Sequence, residues 1–217
     1  MSNDFSGKVV IITGSSSGIG QAAAILFAKS GASVTIHEAE GKKENIHSVR
    51  GEITDLIVQK ELIEETEKVF GRIDILINNA GGAFRNDRNQ RSMESLDYCL
   101  NLNLKAPIAL TELAIPYLEK TKGCIINTSA PGAPKGIRIN NLSPGLTDTP
   151  AINGRFKDME KMAKFFISQI PFGRMAKSEE IAEFMTFIAS ERASYMTGQI
   201  ITVDGGLLIH SPTIKFD

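Results

Sequence analysis

Thr13-Gly14-Ser15-Ser16-Ser17-Gly18-Ile19-Gly20 directly follows the apolar run Val9-Val10-Ile11-Ile12 and opens an alanine-rich helical pattern. Residues of these types, at this spacing between a strand and a helix, are suited to holding a pyrophosphate. Backbone N–H groups at a helix N-terminus point at the anion, and the helix dipole favours negative charge there. Each glycine supplies a tight turn, a close backbone approach or close helix–strand packing. No Gly-Lys-Ser/Thr follows, so the turn is not the phosphate loop of nucleoside triphosphatases. Three later stretches add candidate ligand-binding residues: Asn78-Asn79-Ala80-Gly81, Asn101-Leu102-Asn103-Leu104-Lys105 and Pro144-Gly145-Leu146-Thr147-Asp148-Thr149. Taken alone, Asn-Asn-Ala-Gly reads equally well as a plain turn.

The elements that must position these residues alternate between strand and helix. Short continuous apolar runs suit strands buried on both faces of a parallel sheet. They predict strands over Val9–Thr13, Ser33–His37, Asn45–Ile53, Ile73–Asn78, Gly123–Ser129, Gly136–Leu142 and Ile200–Val203. Gly18–Ser30 is predicted as helix, stopped by Gly31. Asp55–Phe70 is predicted as an amphipathic helix with Leu56, Leu62, Ile63, Val69 and Phe70 inward, stopped at Gly71. Met93–Lys120 is mostly helical, with Pro107 and Pro116 bending or restarting it. Lys157–Ser168 and Glu179–Ser190 follow as helices, the second capped by Ser178. Repeated βα units predict an α/β Rossmann-type, doubly wound parallel sheet with helices on both faces, in three layers. In such a sheet the carboxyl ends of the strands form the ligand edge. Asn78–Gly81 and Pro144–Thr149 both fall there.

The bulk numbers fit one globular domain. The chain has 217 residues, 42% of them hydrophobic, with 24 Lys and Arg against 25 Asp and Glu. No basic run argues for nucleic acid or an anionic membrane surface. The apolar runs are far too short to span a membrane, and no signal peptide is visible, so a cytoplasmic location is expected. Two cysteines, Cys99 and Cys124, make no disulfide framework. The three histidines are scattered without metal-ligand spacing, so no metal site is expected.

In this order along nearly the whole chain, the motifs resemble the short-chain dehydrogenase/reductase family. The pieces are Thr13–Gly20, Asn78–Gly81, Asn103, Ile125–Ser129, Pro144-Gly145 with Thr149, and the Gly198–Gly206 stretch. The resemblance implies NAD(P) binding and hydride transfer between nicotinamide and a carbonyl or secondary alcohol carbon. It implies that Gly14, Ser16, Ser17, Gly18, Ile19 and Gly20 hold the cofactor phosphates and ribose. Glu52 and Ile53 would stand near the adenine, and Asn79, Ala80 and Gly81 would line the adenosine side. Pro144, Gly145, Thr147 and Thr149 would meet the nicotinamide carboxamide and pyrophosphate. Asn103 would anchor the catalytic proton relay; its other reading is a helix residue bonded to a nearby carbonyl. Ordinary turn chemistry is the other reading of Thr147 and Thr149. The resemblance further implies a homotetramer or homodimer.

The chain departs from the family at the catalytic centre. The family's general acid/base is a tyrosine, with a lysine four residues on that lowers its pKa and holds the ribose. The tyrosines here are Tyr98, Tyr117 and Tyr195, followed four residues on by Leu102, Thr121 and Gln199. The family usually ends the fifth strand with two serines. Ser129 fills the first position, and Ala130 the second.

A physical shortage accompanies this gap. Parallel strands need a crossover of a dozen or more residues, usually with a helix. Past Ala130, near which the fifth predicted strand ends, only Pro131–Lys135 precedes the sixth, and only Glu38–Glu44 separates the second and third. Three readings account for both joins: segments of the full-length protein are missing, the chain is a shortened or degenerate relative acting as a binding or scaffolding protein, or the topology differs locally. Glu38 stands where an acid at the end of the second strand would bind a ribose hydroxyl and favour NAD, but it abuts the first join, so NAD and NADP both stay open. The stretch Ala151–Phe172 carries Phe156, Met159, Met162, Phe165, Phe166 and Phe172. It reads as a core-facing amphipathic helix or as a lid over an apolar small-molecule substrate.

Overall fold

Val9–Ile12 (β1), Ile75–Asn78 (β4) and Cys124–Asn127 (β5) are buried along their whole length. Such runs become strands because both faces of a parallel sheet lie under helices. In the computed structural model, which describes residues 5–37, 45–82, 92–128, 137–156 and 160–209, they form the middle of a seven-stranded sheet. Around them lie Ser33–His37 (β2), Ile46–Val49 (β3), Arg138–Pro144 (β6) and Ile200–Val203 (β9). The spatial order is β3-β2-β1-β4-β5-β6-β9, and every neighbouring pair is parallel.

Two apolar layers sandwich the sheet. Val10, Ile12, Val34, Ile36, Ile75, Ile77 and Ile126 face Gly18–Lys29 (α1) and Ser178–Ala189 (α7). Ile11, Val49, Leu76, Ile125 and Ile139 face Leu56–Phe70 (α2) and Ala106–Thr121 (α4). The strand order turns back between β1 and β4. In a doubly wound sheet this reversal opens a crevice at the carboxyl strand ends.

Several element boundaries differ from the sequence reading. α2 starts at Leu56, because Asp55 caps it by accepting the Ile57 N–H at 2.8 Å. Its buried stripe is Gln59, Leu62, Ile63 and Thr66, whereas Leu56 and Val69 are exposed. Two polar residues enter that stripe because their side chains find partners: Gln59 on the Ile53 carbonyl and Thr66 on Thr35 Oγ1 and the Leu62 carbonyl. The long helical region divides into Met93–Leu100 (α3), a π-helical turn over Asn101–Lys105, and α4. Pro107 has no N–H for the carbonyl of Asn103, and the ladder widens just before it. α7 begins at Ser178 rather than being capped by it, and the Ser178 hydroxyl donates to the Asp148 carbonyl. Two elements escaped the reading altogether: Pro150–Phe156 (α5), which precedes Glu160–Ser168 (α6), and a separate two-stranded pair of Thr147–Asp148 (β7) with Ala176–Lys177 (β8).

Both short joins connect parallel neighbours. Val34 pairs with Ile46 across β2 and β3, and Cys124 pairs with Arg138 across β5 and β6. This overturns the reading of a locally different strand topology. The connecting residues 38–44 and 129–136 themselves lie outside the described ones.

Candidate functional site

Thr13, Asn79 and Gly14 tie the two strand ends at the crevice together. The backbone N–H groups of Asn79 and Ala80 both donate to Thr13 Oγ1, at 3.0 and 2.9 Å. Asn79 Nδ2 donates to the carbonyls of Thr13 and Gly14, at 3.0 and 3.1 Å. Gly14 holds φ +62°, and a Cβ there would come within 2.8 Å of the Ala80 Cα. At Gly20 a Cβ would strike the Gly14 carbonyl oxygen and Asn79 Nδ2. The β1–α1 turn and the β4 loop are thus one unit, and glycine is required for them to touch.

The α1 N-terminus faces this unit. Its N-cap, Ser17, is extended and makes no side-chain capping bond, and no acidic residue occupies the first turn. No side chain of the N-cap or of the first turn therefore occupies the place of an anion there. That is the arrangement a phosphate needs.

Two cavities adjoin here. The first, 340 Å³, is lined by Gly14, Ser16, Ser17, Gly18, Ile19, Glu52, Ile53, Asn79, Ala80, Gly81, Gly82, Tyr98, Leu102, Thr149 and Ala151. The second, 430 Å³, is lined by Ile19, Pro144, Gly145, Leu146, Thr147, Thr149, Ile152, Phe166 and Leu207. They share Ile19 and Thr149 in their walls, so they lie side by side along one edge at the switch point. This edge brings together every expected cofactor residue in the described part except Gly20, which lies buried beneath the turn. Tyr98 and Gly82, and Leu207 in the second cavity, were not foreseen, whereas Phe166 belongs to the stretch read as a possible lid. A tyrosine lacking its lysine carried no signal, and neither did the leucine. Glu38 and Ser129 lie outside the described residues.

Several expected ligands are already engaged within the protein. Asn103 Oδ1 accepts the Gly82 N–H at 3.0 Å, and Asn103 Nδ2 lies 2.9 Å from the carbonyls of both Gly82 and Cys99. The amide pins the Asn78–Gly82 loop to the π-helical turn. Thr147 Oγ1 donates to the Gly145 carbonyl at 3.0 Å, and Thr149 Oγ1 accepts the Ile152 N–H at 3.3 Å, capping α5. Asn78 and Asn127, at the ends of β4 and β5, bond through their side chains at 2.7 Å.

The aromatic stretch does not face the core, contrary to one of its two readings. Phe165 and Phe172 are 60% and 75% exposed, and Phe166 is 44% exposed. Phe166 joins Ile152 and Leu207 in the second cavity, packed edge-on against Phe165 at 5.8 Å. Met159 lies outside the described residues. Of the cysteines, Cys124 is buried and its thiol is pushed up to about 11 by desolvation, which leaves it inert as a nucleophile. Among the described residues no group of three or more His, Cys, Asp or Glu could hold a metal ion, and no helix is long and apolar enough to cross a membrane.

A doubly wound parallel sheet with a glycine turn at its switch point defines a dinucleotide-binding α/β protein. Comparison with known proteins narrows the class. A family model described as short chain dehydrogenase matches residues 8–133, and one described as enoyl-(acyl carrier protein) reductase matches residues 130–208. A 3-oxoacyl-[acyl-carrier-protein] reductase of Thermotoga maritima is 35% identical over 245 residues, covering 94% of this chain and 98% of that protein. A 7alpha-hydroxysteroid dehydrogenase of Bacteroides fragilis is 31% identical, covering 98% and 99%. A short-chain dehydrogenase/reductase of unknown function from Caenorhabditis elegans, solved with cofactor, superposes with TM-score 0.85 at 32% identity over 98% of this chain and 99% of that one. The chain belongs to the short-chain dehydrogenase/reductase family, whose members are nicotinamide-dependent oxidoreductases acting on CH–OH donors.

The first of these matches also measures what this chain lacks. Since 94% of 217 residues is about 204, about 41 of the 245 aligned positions face no residue here. The missing positions are internal, because the match reaches almost both ends of each chain.

Proposed function

We propose that the chain lays NAD(P) along the groove from Glu52 to Leu207 and exchanges a hydride between it and an apolar carbonyl or secondary alcohol. The observation that carries this reading is the adjacency of the two cavities, with Ile19 and Thr149 in the walls of both, at a helix N-terminus whose N-cap makes no side-chain bond. When bound, the nicotinamide supplies the hydride acceptor or donor. Gly14, Ser16, Ser17, Gly18 and Ile19 would receive the pyrophosphate and adjoining ribose, with Gly20 behind them. Glu52, Ile53, Asn79, Ala80 and Gly81 would wall the adenosine half. Pro144, Gly145, Thr147 and Thr149 would orient the nicotinamide half.

Apolar chemistry beside that half supports an apolar substrate: Leu146, Ile152, Phe166 and Leu207 line it, and among the described lining residues the only side-chain hydroxyls are two threonines already bonded within their own turns. Asn103 holds the Asn78–Gly82 wall in place, and any part in a proton relay is added to that duty. Supporting family evidence for an oligomer is general; a dimer or tetramer is our expectation.

The proton is the open step, because no tyrosine here has a lysine four residues on. That observation alone favours the reading of a dinucleotide-binding protein without turnover, and the comparisons add nothing to it. Titration with NADH and with NADPH, followed by the melting temperature, tests the cofactor reading. A rise with either supports it, by about 2.7 kcal/mol of stabilisation at a hundredfold excess over Kd, and no rise with both overturns it. Turnover of apolar ketones by the same preparation then separates the enzyme from the binding protein.

A further inference from the structure

His37 closes β2 with no exposure to solvent, and none of the roles above uses it. Its imidazole stands between two backbone groups of the groove walls. Nδ1 lies 3.5 Å from the Gly14 nitrogen, a long bond, and Nε2 lies 3.0 Å from the Gly51 carbonyl oxygen. The Gly14 N–H can only donate and the Gly51 carbonyl can only accept. Together they require a neutral ring with its proton on Nε2. The main chain at the same place is also braced. His37 N donates to Ser15 Oγ at 2.8 Å, and the His37 carbonyl accepts the Ser15 N–H at 3.2 Å.

The two groups joined by the ring matter for the ligand. Gly14 is the positive-φ residue of the phosphate turn, and Gly51 directly precedes Glu52 and Ile53, which wall the adenosine half. A strut between them sets how far apart those walls stand before any ligand arrives. Wall spacing fixed in advance removes an ordering cost from binding.

We propose that His37 is a positioning residue whose neutral imidazole, held between the Gly14 N–H and the Gly51 carbonyl, preorganises the adenosine half of the groove for the dinucleotide. The proposal rests on the cofactor reading above. A residue of equal bulk without donor or acceptor would fill the space and leave the Gly14 N–H and Gly51 carbonyl unpaired. One with both functions would restore them.

Isothermal titration with ADP-ribose, which carries the adenosine half without nicotinamide, tests this on wild type, His37→Phe and His37→Gln, with melting temperatures of each ligand-free protein. The expected result is a Kd raised about tenfold or more by His37→Phe and kept within about threefold by His37→Gln. Wild-type-like binding by His37→Phe overturns the proposal. So does an equal loss in both variants that follows their melting temperatures, since that marks a packing role. Should His37→Phe fail to fold, 15N correlation spectra of the wild-type imidazole at neutral pH decide: an Nε2–H tautomer is required, and an Nδ1–H tautomer overturns the strut. Failure of the wild type itself to bind both ADP-ribose and NADH would instead overturn the cofactor reading.

Discussion

At the scale of single residues, the groove depends on positions where only one side chain satisfies the backbone. Gly14 combines φ +62° with a Cβ position 2.8 Å from the Ala80 Cα, so alanine there adds both strain and a backbone clash. Gly14→Ala is expected to cost about 1–3 kcal/mol of stability and to abolish dinucleotide binding, measured by chemical denaturation and NADH titration. Gly71, at φ +73° with nothing within 4 Å of a Cβ, serves as the control. Gly71→Ala should cost about 1 kcal/mol and leave NADH affinity unchanged. Equal losses of affinity in both variants would show that the turn is sensitive only to global stability. The glycines of the groove were legible because turn chemistry is local. His37 was not, because its partners come from Gly14 and Gly51, far apart in sequence, and a histidine in a β-strand pattern announces neither a ligand nor a strut. Asn103 was singled out for a proton relay, yet its amide grips Gly82 and Cys99, a contact visible only once the π-helical turn sets its direction.

At the scale of elements, the entrance to α7 is a charged clasp. Arg174 reaches both Glu180 oxygens at 2.8 Å, and the Lys177 N–H donates to the same carboxylate at 2.8 Å. The side-chain bond from Arg174, then that from the Lys177 N–H, holds the carboxyl at about 2 instead of 4.5. A pKa lowered on folding contributes stability above the unfolded value and loses it as pH falls through the folded one. The window for Glu180 therefore runs from about pH 4.5 down to about 2, and the exposed setting keeps the effect modest. Glu180→Gln should lower the melting temperature at pH 7, with the difference from wild type closing across that window. A difference independent of pH would sink the assignment. Further along the groove, α6 presents Phe166 to the second cavity while it stays 44% exposed. Phe166→Ala should raise KM for an apolar ketone several-fold with little change in melting temperature, whereas a core role would reverse the pattern. Strands and amphipathic helices were readable from period and length. α5 and the β7–β8 pair were not, because 2-residue strands carry no period and Pro150 looks like a turn until it becomes the first residue of a helix.

At the scale of the whole molecule, the sheet is complete and the relatives are longer. All seven strands align in parallel in the order expected of a doubly wound fold, yet about 41 aligned positions of the Thermotoga maritima reductase meet no residue of this chain. The two family models meet at residues 130–133, which lie in the join between β5 and β6. The resemblance places the tyrosine and lysine of the proton relay after the fifth strand, on the crossover helix. A chain that keeps the groove, the sheet order and both core layers but lacks that crossover retains the described walls of the binding site without the family's tyrosine, which exchanges the proton, or its lysine, which holds the ribose. Loss of function would not by itself preserve the groove, so the crossover residues are expected to exist in the protein made by its source. Its intact mass, by mass spectrometry, should then lie several kilodaltons above the 23.6 kDa of these 217 residues. A mass of 23.6 kDa would remove the crossover from the living protein, and turnover of a carbonyl substrate at that mass would require a proton donor other than the family's tyrosine.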